Sequence, residues 1–156
     1  MKDALFGELE YDLSWCGKCT WTIFGRDVIT PLIISCYEPE EITDYQRHAF
    51  AAFEERKIEF TKLSEEAIFQ YYLELLPEYR ERFGDFADKL APRVSDLRDM
   101  GSLVIPAEVI VQRSIGEARE RIIGLLFTCT WEPELGLAVK FINEQLREVG
   151  TQDIVL

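Results

Sequence analysis

The stretch that decides the fold is residues 124–141, GLLFTCTWEPELGLAVKF. Two runs rich in branched and aromatic residues flank an interruption, residues 131–136, which contains Pro133 and Gly136. Such runs favour β-strands, whereas proline and glycine interrupt the hydrogen-bonded ladder between strands. The stretch therefore predicts two strands, over residues 121–130 and 137–142, joined by a corner.

Strand patterns also occur at both ends of the chain. They cover, in order, residues 5–11, 19–24, 28–37, 103–111, 145–149 and 153–156. Helical spacing of apolar residues occupies the middle. An order of strands, helices and strands predicts the α+β class, with an antiparallel sheet built from an N-terminal and a C-terminal meander and two main helices inserted between them and packed on it. The length fits a single domain, residues 1–156.

The helical segment carries recognisable start and stop signals. Thr43 and Gln46 have the spacing of a capping box at the start of the first helix. The second helix is predicted to start at Ser64 and to end or kink at Pro77. A short helix capped by Ser95 is expected in the connection that follows.

The chain is strongly acidic, with 17 basic against 29 acidic residues and a net charge of −12. Residues 38–88 alone hold 14 acidic and 6 basic residues, a net of −8. A field of this sign repels phosphate backbones, so we expect no nucleic-acid partner. It attracts a basic protein partner, although the alternative is that the acidity only confers solubility.

Two further patterns concern location. No apolar run approaches the ~20 residues needed to span a bilayer. The opening residues, MKDALFGELEYDL, contain acids where a signal peptide has an apolar stretch. We therefore expect a cytoplasmic protein without membrane contact, whose four cysteines are free thiols.

Cys16 and Cys19 form a Cys-x-x-Cys motif, WCGKC, close to the WCGPC of thioredoxins. That redox chemistry needs the first cysteine at a helix N-terminus, but a strand pattern follows here. The two thiols could instead form a zinc knuckle, although a second knuckle is absent. The remaining interpretation is a hairpin turn that contains two cysteines.

Glu132 and Glu134 are two positions apart, so in an extended chain they point to the same side. This spacing suits an acid/base pair of a hydrolase, but no third polar group accompanies it. No GxGxxG, P-loop, HExxH or EF-hand pattern occurs, which favours a non-enzyme without cofactor. An aromatic ring beside carboxylates is typical of a protein contact, which makes Trp131, Glu132, Glu134, Trp15 and Asp12 candidates for partner binding. Alternatively, both tryptophans pack against their own sheet.

The pattern from Cys129 to Phe141, CTWEPE-x-G-x-x-V-x-F, together with VG-x-QDI at residues 149–154, resembles uncharacterised bacterial domains of unknown function. These are found in or near polymorphic toxin loci, and some are suspected immunity proteins. The resemblance implies binding to a basic toxin domain and transfers no catalytic residue. The alternatives left open are a thiol or zinc protein using Cys16 and Cys19, and a hydrolase using Glu132 and Glu134.

Overall fold

The structure, a computed structural model, describes residues 1–36 and 41–156. The strands before the helices are β1 Lys2–Asp3, β2 Gly7–Glu8, β3 Glu10–Tyr11, β4 Trp15–Ile23 and β5 Arg26–Ile34. The helices are α1 Asp44–Glu55, α2 Lys57–Phe83 and α3 Ala87–Leu90. The strands after them are β6 Val104–Gln112, β7 Ile122–Cys129, β8 Leu137–Ile142 and β9 Gln145–Gly150. Short 3-10 helices cover Gly84–Phe86, Leu97–Ser102 and Gln152–Val155. The α+β prediction is confirmed.

In the described residues, β3 to β9 form one seven-stranded sheet in sequence order, while β1 and β2 form a separate two-stranded ribbon. The N-terminal and C-terminal meanders are both present. Where they join, however, β5 and β6 run parallel, with residues 32–34 beside residues 109–111. The prediction of a wholly antiparallel sheet is corrected at this one pair. A parallel pair needs a long crossover, and the helical segment between β5 and β6 supplies it.

The helices cover one face of the sheet. Alternate strand residues point to this face and form the core with aromatic residues of α1 and α2, including Trp21, Ile34, Phe53, Phe60, Tyr72, Phe127 and Phe141. The C-terminal 3-10 helix covers part of the other face, where Val155 packs with Ile110, Leu126 and Ala138. The outer face of β4 and β5 stays exposed, as Ile29 shows.

The predicted capping box is confirmed, and it also joins the helices to the sheet. The Gln46 backbone N–H donates to Thr43 Oγ1, and Gln46 Oε1 accepts from the Thr43 N–H. The buried Gln46 Nε2 donates in addition to Ser35 O at 2.8 Å and to Val111 O at 3.4 Å. Ser35 follows β5 and Val111 belongs to β6, so the Gln46 side chain links the start of α1 to the place where these two parallel strands pair.

Several predicted boundaries differ from the structure. α2 begins at Lys57, seven residues before the predicted start, because Ser64 Oγ donates to Phe60 O one turn earlier instead of capping a helix. The helix continues through the exposed Pro77 and ends at Phe83. In the later connection Asp96, not Ser95, caps the 3-10 helix. The predicted terminal strand is the 3-10 helix at Gln152–Val155. Tyr37, the predicted end of β5, lies outside the described residues.

Side chains of α2 cover the outer edge of β4 beyond its short pairing with β3. Lys57 Nζ donates to Thr20 O at 2.5 Å, and the Phe24 N–H donates to Glu65 Oε2 at 3.0 Å. A bare strand edge invites pairing with another chain, so these contacts protect the sheet. Among the described helices, none is long and apolar enough to cross a membrane.

Candidate functional site

Trp131 lies in the core and is not a surface ring. Its side chain is 2% exposed, and its ring packs against Tyr72 of α2 with centroids 4.6 Å apart. A partner therefore cannot reach it in this conformation. The sequence analysis offered packing against its own sheet as the alternative; the observed ring contact is with helix α2, inside the core that the helices and the sheet share.

The two carboxylates of the β7–β8 corner have different surroundings. Glu132 is half-buried and accepts a hydrogen bond of 2.9 Å from the Tyr79 hydroxyl. This bond and, above all, burial raise the pKa of Tyr79 to about 12. Glu134 is exposed on the turn and makes no described side-chain bond. Since Glu132 is held by α2 while Glu134 faces solvent, the geometry gives no support to a paired acid and base.

The corner is built around Gly136, which has a φ of +64°. A Cβ at this position would lie 2.5 Å from Gln152 Nε2 and 2.9 Å from Phe127 O. Gln152 Nε2 itself donates to Phe127 O, and the Gln152 N–H donates to Leu135 O. The two sequence patterns that carry the resemblance, at residues 129–141 and 149–154, therefore meet here as one structural joint.

Cys16 and Cys19 do not form a joint thiol site. Both lie within β4, so the expected hairpin turn is corrected to strand interior. Three positions apart on a strand, they point to opposite faces, and Cys19 is buried on the helix side. Burial raises the pKa of Cys19 to about 11, whereas redox catalysis requires a lowered value. Among the described residues, no three His, Cys, Asp or Glu side chains are grouped so that they could hold a metal ion.

Of the candidate residues near the N-terminus, Cys16 lines a concave surface, which we call the N-terminal groove, while Asp12 lies between β3 and β4 and Trp15 begins β4. The groove has a volume of about 780 Å³ and is lined by Phe6, Gly7, Glu8, Glu10, Cys16, Gly17 and Lys18. Gly17 is required in its wall, because a Cβ there would lie 2.8 Å from Leu9 Cδ2 and 3.1 Å from Glu8 O. Beside it, the half-buried Trp15 packs edge-on against Tyr11 with ring centroids 5.4 Å apart.

Acidic side chains surround the Cys16 thiol. Burial raises the pKa of Cys16 first, and the charges of Asp12, Glu108, Cys36 and Glu10 raise it further, in that order. None of these three carboxylates has a side-chain hydrogen bond or ion pair within the described residues. Lys18, exposed on the rim, is the cation among the lining residues. The groove is thus suited to hold positive charge rather than to activate a thiol.

Glu108 is a residue that the sequence analysis missed. It follows an irregularity between Pro106 and Glu108 in the pairing of β6 with β7, and it faces the side of the sheet that carries Cys16, with β5 between them. It is half-buried, and burial alone raises the pKa of its carboxyl. The available signal was a lone acid in the apolar run VIPAEVIV.

The comparison with family models gives one match, to the family described as Domain of unknown function (DUF6985), over residues 5–156. The chain belongs to this family. The match spans both the Gly136–Gln152 joint and the N-terminal groove. It confirms the part of the sequence resemblance that named a domain of unknown function. Comparison with curated proteins gave no match, and comparison with solved structures gave none either.

Proposed function

We propose that this DUF6985 protein is a non-catalytic binding protein that holds a basic segment of a protein partner in its N-terminal groove. The observation that carries the proposal is that Glu10 lines the groove opposite Cys16 and Glu108 faces the same side of the sheet across β5, while neither of them nor Asp12 has a described cationic partner. Asp3, by contrast, is neutralised within the chain by Arg47 at 2.9 Å.

A cationic side chain in the groove would gain more than an ordinary surface contact. Glu108 is partly removed from water, so pairing it compensates a desolvation penalty that the free protein already bears. A guanidinium fits best, because its planar fork binds carboxylates with two hydrogen bonds and is weakly hydrated. The aromatic pair Tyr11 and Trp15 lies one position along from the groove residues Glu10 and Cys16 in the pairing of β3 with β4.

The partner that we propose is a basic toxin domain, and the role is that of an immunity protein acting in a bacterial cytoplasm. Support comes from the net charge of −12 and from the resemblance to domains near toxin loci. On α1 and α2, Arg56 and Lys57 pair with Glu59 and Glu54, so those cations do not offset the remaining acids. The field that steers a basic partner therefore persists around the helices.

The test uses the toxin-like protein encoded beside this gene and, as a defined probe, a fluorescein-labelled tetra-arginine peptide. We expect the triple variant Glu10→Gln, Asp12→Asn, Glu108→Gln to bind both ligands at least about tenfold more weakly than the natural chain. The matched control, Glu81→Gln, Glu134→Gln, Glu148→Gln, removes the same charge far from the groove and includes the corner acid Glu134. Its affinity should change by less than about twofold.

Equal losses in the two triple variants would show that net charge, and not the groove, governs binding. A loss confined to the control triple would move the contact to the surface that carries Glu81, Glu134 and Glu148. Either result overturns the proposed site, and no binding of either ligand overturns the proposed function.

A further inference from the structure

A second concave surface lies next to the N-terminal groove. This surface, the isoleucine groove, has a volume of about 550 Å³ and is lined by Thr20, Trp21, Thr22, Asp27, Val28, Ile29, Lys57, Ile58 and Thr61. Ile58 of α2 is 85% exposed and Ile29 of β5 is 70% exposed. Single exposed apolar residues are ordinary, but two that line one groove mark a contact surface.

The two grooves follow each other along β4. Residues 16–18 line the N-terminal groove, and residues 20–22 line the isoleucine groove. Lys18 and Thr20 are two positions apart, which corresponds to ~7 Å of strand. One ligand segment of a few residues can therefore occupy both.

The net charge of the chain indicates which ligand the isoleucine groove can bind. A shallow surface lined by Glu54, Glu55, Arg56, Lys57, Ile58, Glu59 and Lys62 shares Lys57 and Ile58 with it. The three acids and three bases of this shallow surface balance: Arg56 and Lys57 pair with Glu59 and Glu54, which leaves Glu55 and Lys62 without a described ion-pair partner. A second copy of this chain, with its net charge of −12, would be repelled, whereas a basic segment would be attracted.

We propose that the isoleucine groove binds a branched apolar side chain of the same basic segment whose cations occupy the N-terminal groove. The inference rests on the proposed function and defines its ligand: a segment with clustered cations and a Leu, Ile or Val a few residues away. Lys57 and Glu65 already bond main-chain groups along the β4 edge. The segment is therefore recognised through its side chains and does not add a strand to the sheet.

The test compares two fluorescein-labelled peptides, one with four arginines, two glycines and two leucines, and one with serines in place of the leucines. Each is made in both chain directions, and binding to the full chain is followed by fluorescence anisotropy. We expect the leucine peptide to bind about fivefold more tightly, which corresponds to partial burial of one apolar side chain. The variants Ile58→Ser and Ile29→Thr should remove this gain and leave the affinity for the serine peptide unchanged.

Leu135→Ser is the matched control, because Leu135 is 55% exposed at the distant β7–β8 corner. It should retain the gain. If neither peptide binds, the proposed function fails. If both bind equally well, and the groove triple variant weakens both, the proposed function stands and this inference fails. The inference also fails if the leucine peptide still binds more tightly than the serine peptide in both isoleucine variants. It fails as well if sedimentation shows a dimer that Ile58→Ser converts to a monomer, since the groove would then bind a second copy of the chain.

Discussion

The half-buried carboxylate of Glu108 costs the free protein stability, and the binding that we propose would offset this cost. Its carboxylate lies half-buried on the sheet, beside no described cation, in a strand whose neighbours are apolar. Burial raises the pKa of this carboxyl, which means that the folded state prefers its protonated form. In other words, the charged form is less favourable in the folded state than in the unfolded chain, and a bound guanidinium would remove that difference.

Glu108→Gln should therefore stabilise the unliganded protein at pH 7 while weakening the binding of a basic ligand. Because the folded-state pKa is raised, the charged carboxyl costs stability above its unfolded value of about 4.3, and the cost disappears below it. Urea unfolding should show a higher free energy for the variant at pH 7 and no difference at pH 3.5.

Glu134→Gln, at an exposed corner position, serves as the control and should change neither value. A lower free energy of unfolding for Glu108→Gln at pH 7 would contradict the interpretation, since it would reveal a favourable partner for the charge.

The β7–β8 corner shows at the level of elements why a motif can identify a family without marking a site. Its tryptophan fills the core against Tyr72, and its glycine lets β8 pass close to the C-terminal 3-10 helix. Gln152 then closes the end of β7 through Phe127 O. The motif residues thus determine how β8 packs against the C-terminal 3-10 helix.

Gly136→Ala should lower the free energy of unfolding by about 3 kcal/mol, through strain of the left-handed backbone and displacement of Gln152. Gly116→Ala is the matched control, because Gly116 has a φ of +66° and open space around the added Cβ. It should cost about 1 kcal/mol. Thermal and urea unfolding measure both, and equal losses would mean that the crowding at Gly136 contributes nothing.

Element boundaries were predictable where one local signal decides them. The capping box at Thr43 and Gln46 and the strand at Leu137–Ile142 agree with the structure, since each depends on neighbouring residues. The start of α2 was not predictable from Ser64, because a serine bonds the preceding turn as readily as it caps one. The role of Glu108 was missed because Glu108 and Cys16 lie far apart in sequence and come to the same face of the sheet only through the pairing of β5 with β4 and β6.

At the scale of the whole molecule, the parallel pair β5–β6 joins two meanders. Within each meander, strands pair with their neighbours in sequence. The α+β class followed from the order of patterns, but the direction of this pair did not, because no residue pattern distinguishes a parallel from an antiparallel neighbour here. Gln46 is the side chain that links the joint to α1.

Gln46→Glu should destabilise the protein by about 3 kcal/mol at pH 7, because the buried oxygen that replaces Nε2 cannot donate to Ser35 O and Val111 O and instead faces these two carbonyl oxygens. Lowering the pH should reduce the loss, since the protonated carboxyl regains a donor. Thr43→Ala, which keeps the amide, should cost only about 1 kcal/mol. Urea unfolding at pH 7 and pH 4.5 measures both, and equal, pH-independent losses would show that the amide bonds to the sheet do not matter.

The pairing of β5 with β6 also carries the largest loop-closure entropy in the sheet. All neighbouring strands of the seven-stranded sheet are consecutive in sequence, but only β5 and β6 are separated by the whole helical segment. Closing a long segment costs more configurational entropy than closing a short turn, although the cost grows only slowly with length. Contacts of large sequence separation of this kind slow folding. The antiparallel pairs on either side need no closure of this length, so the pairing of β5 with β6 is the step of the sheet that brings together the residues farthest apart in sequence.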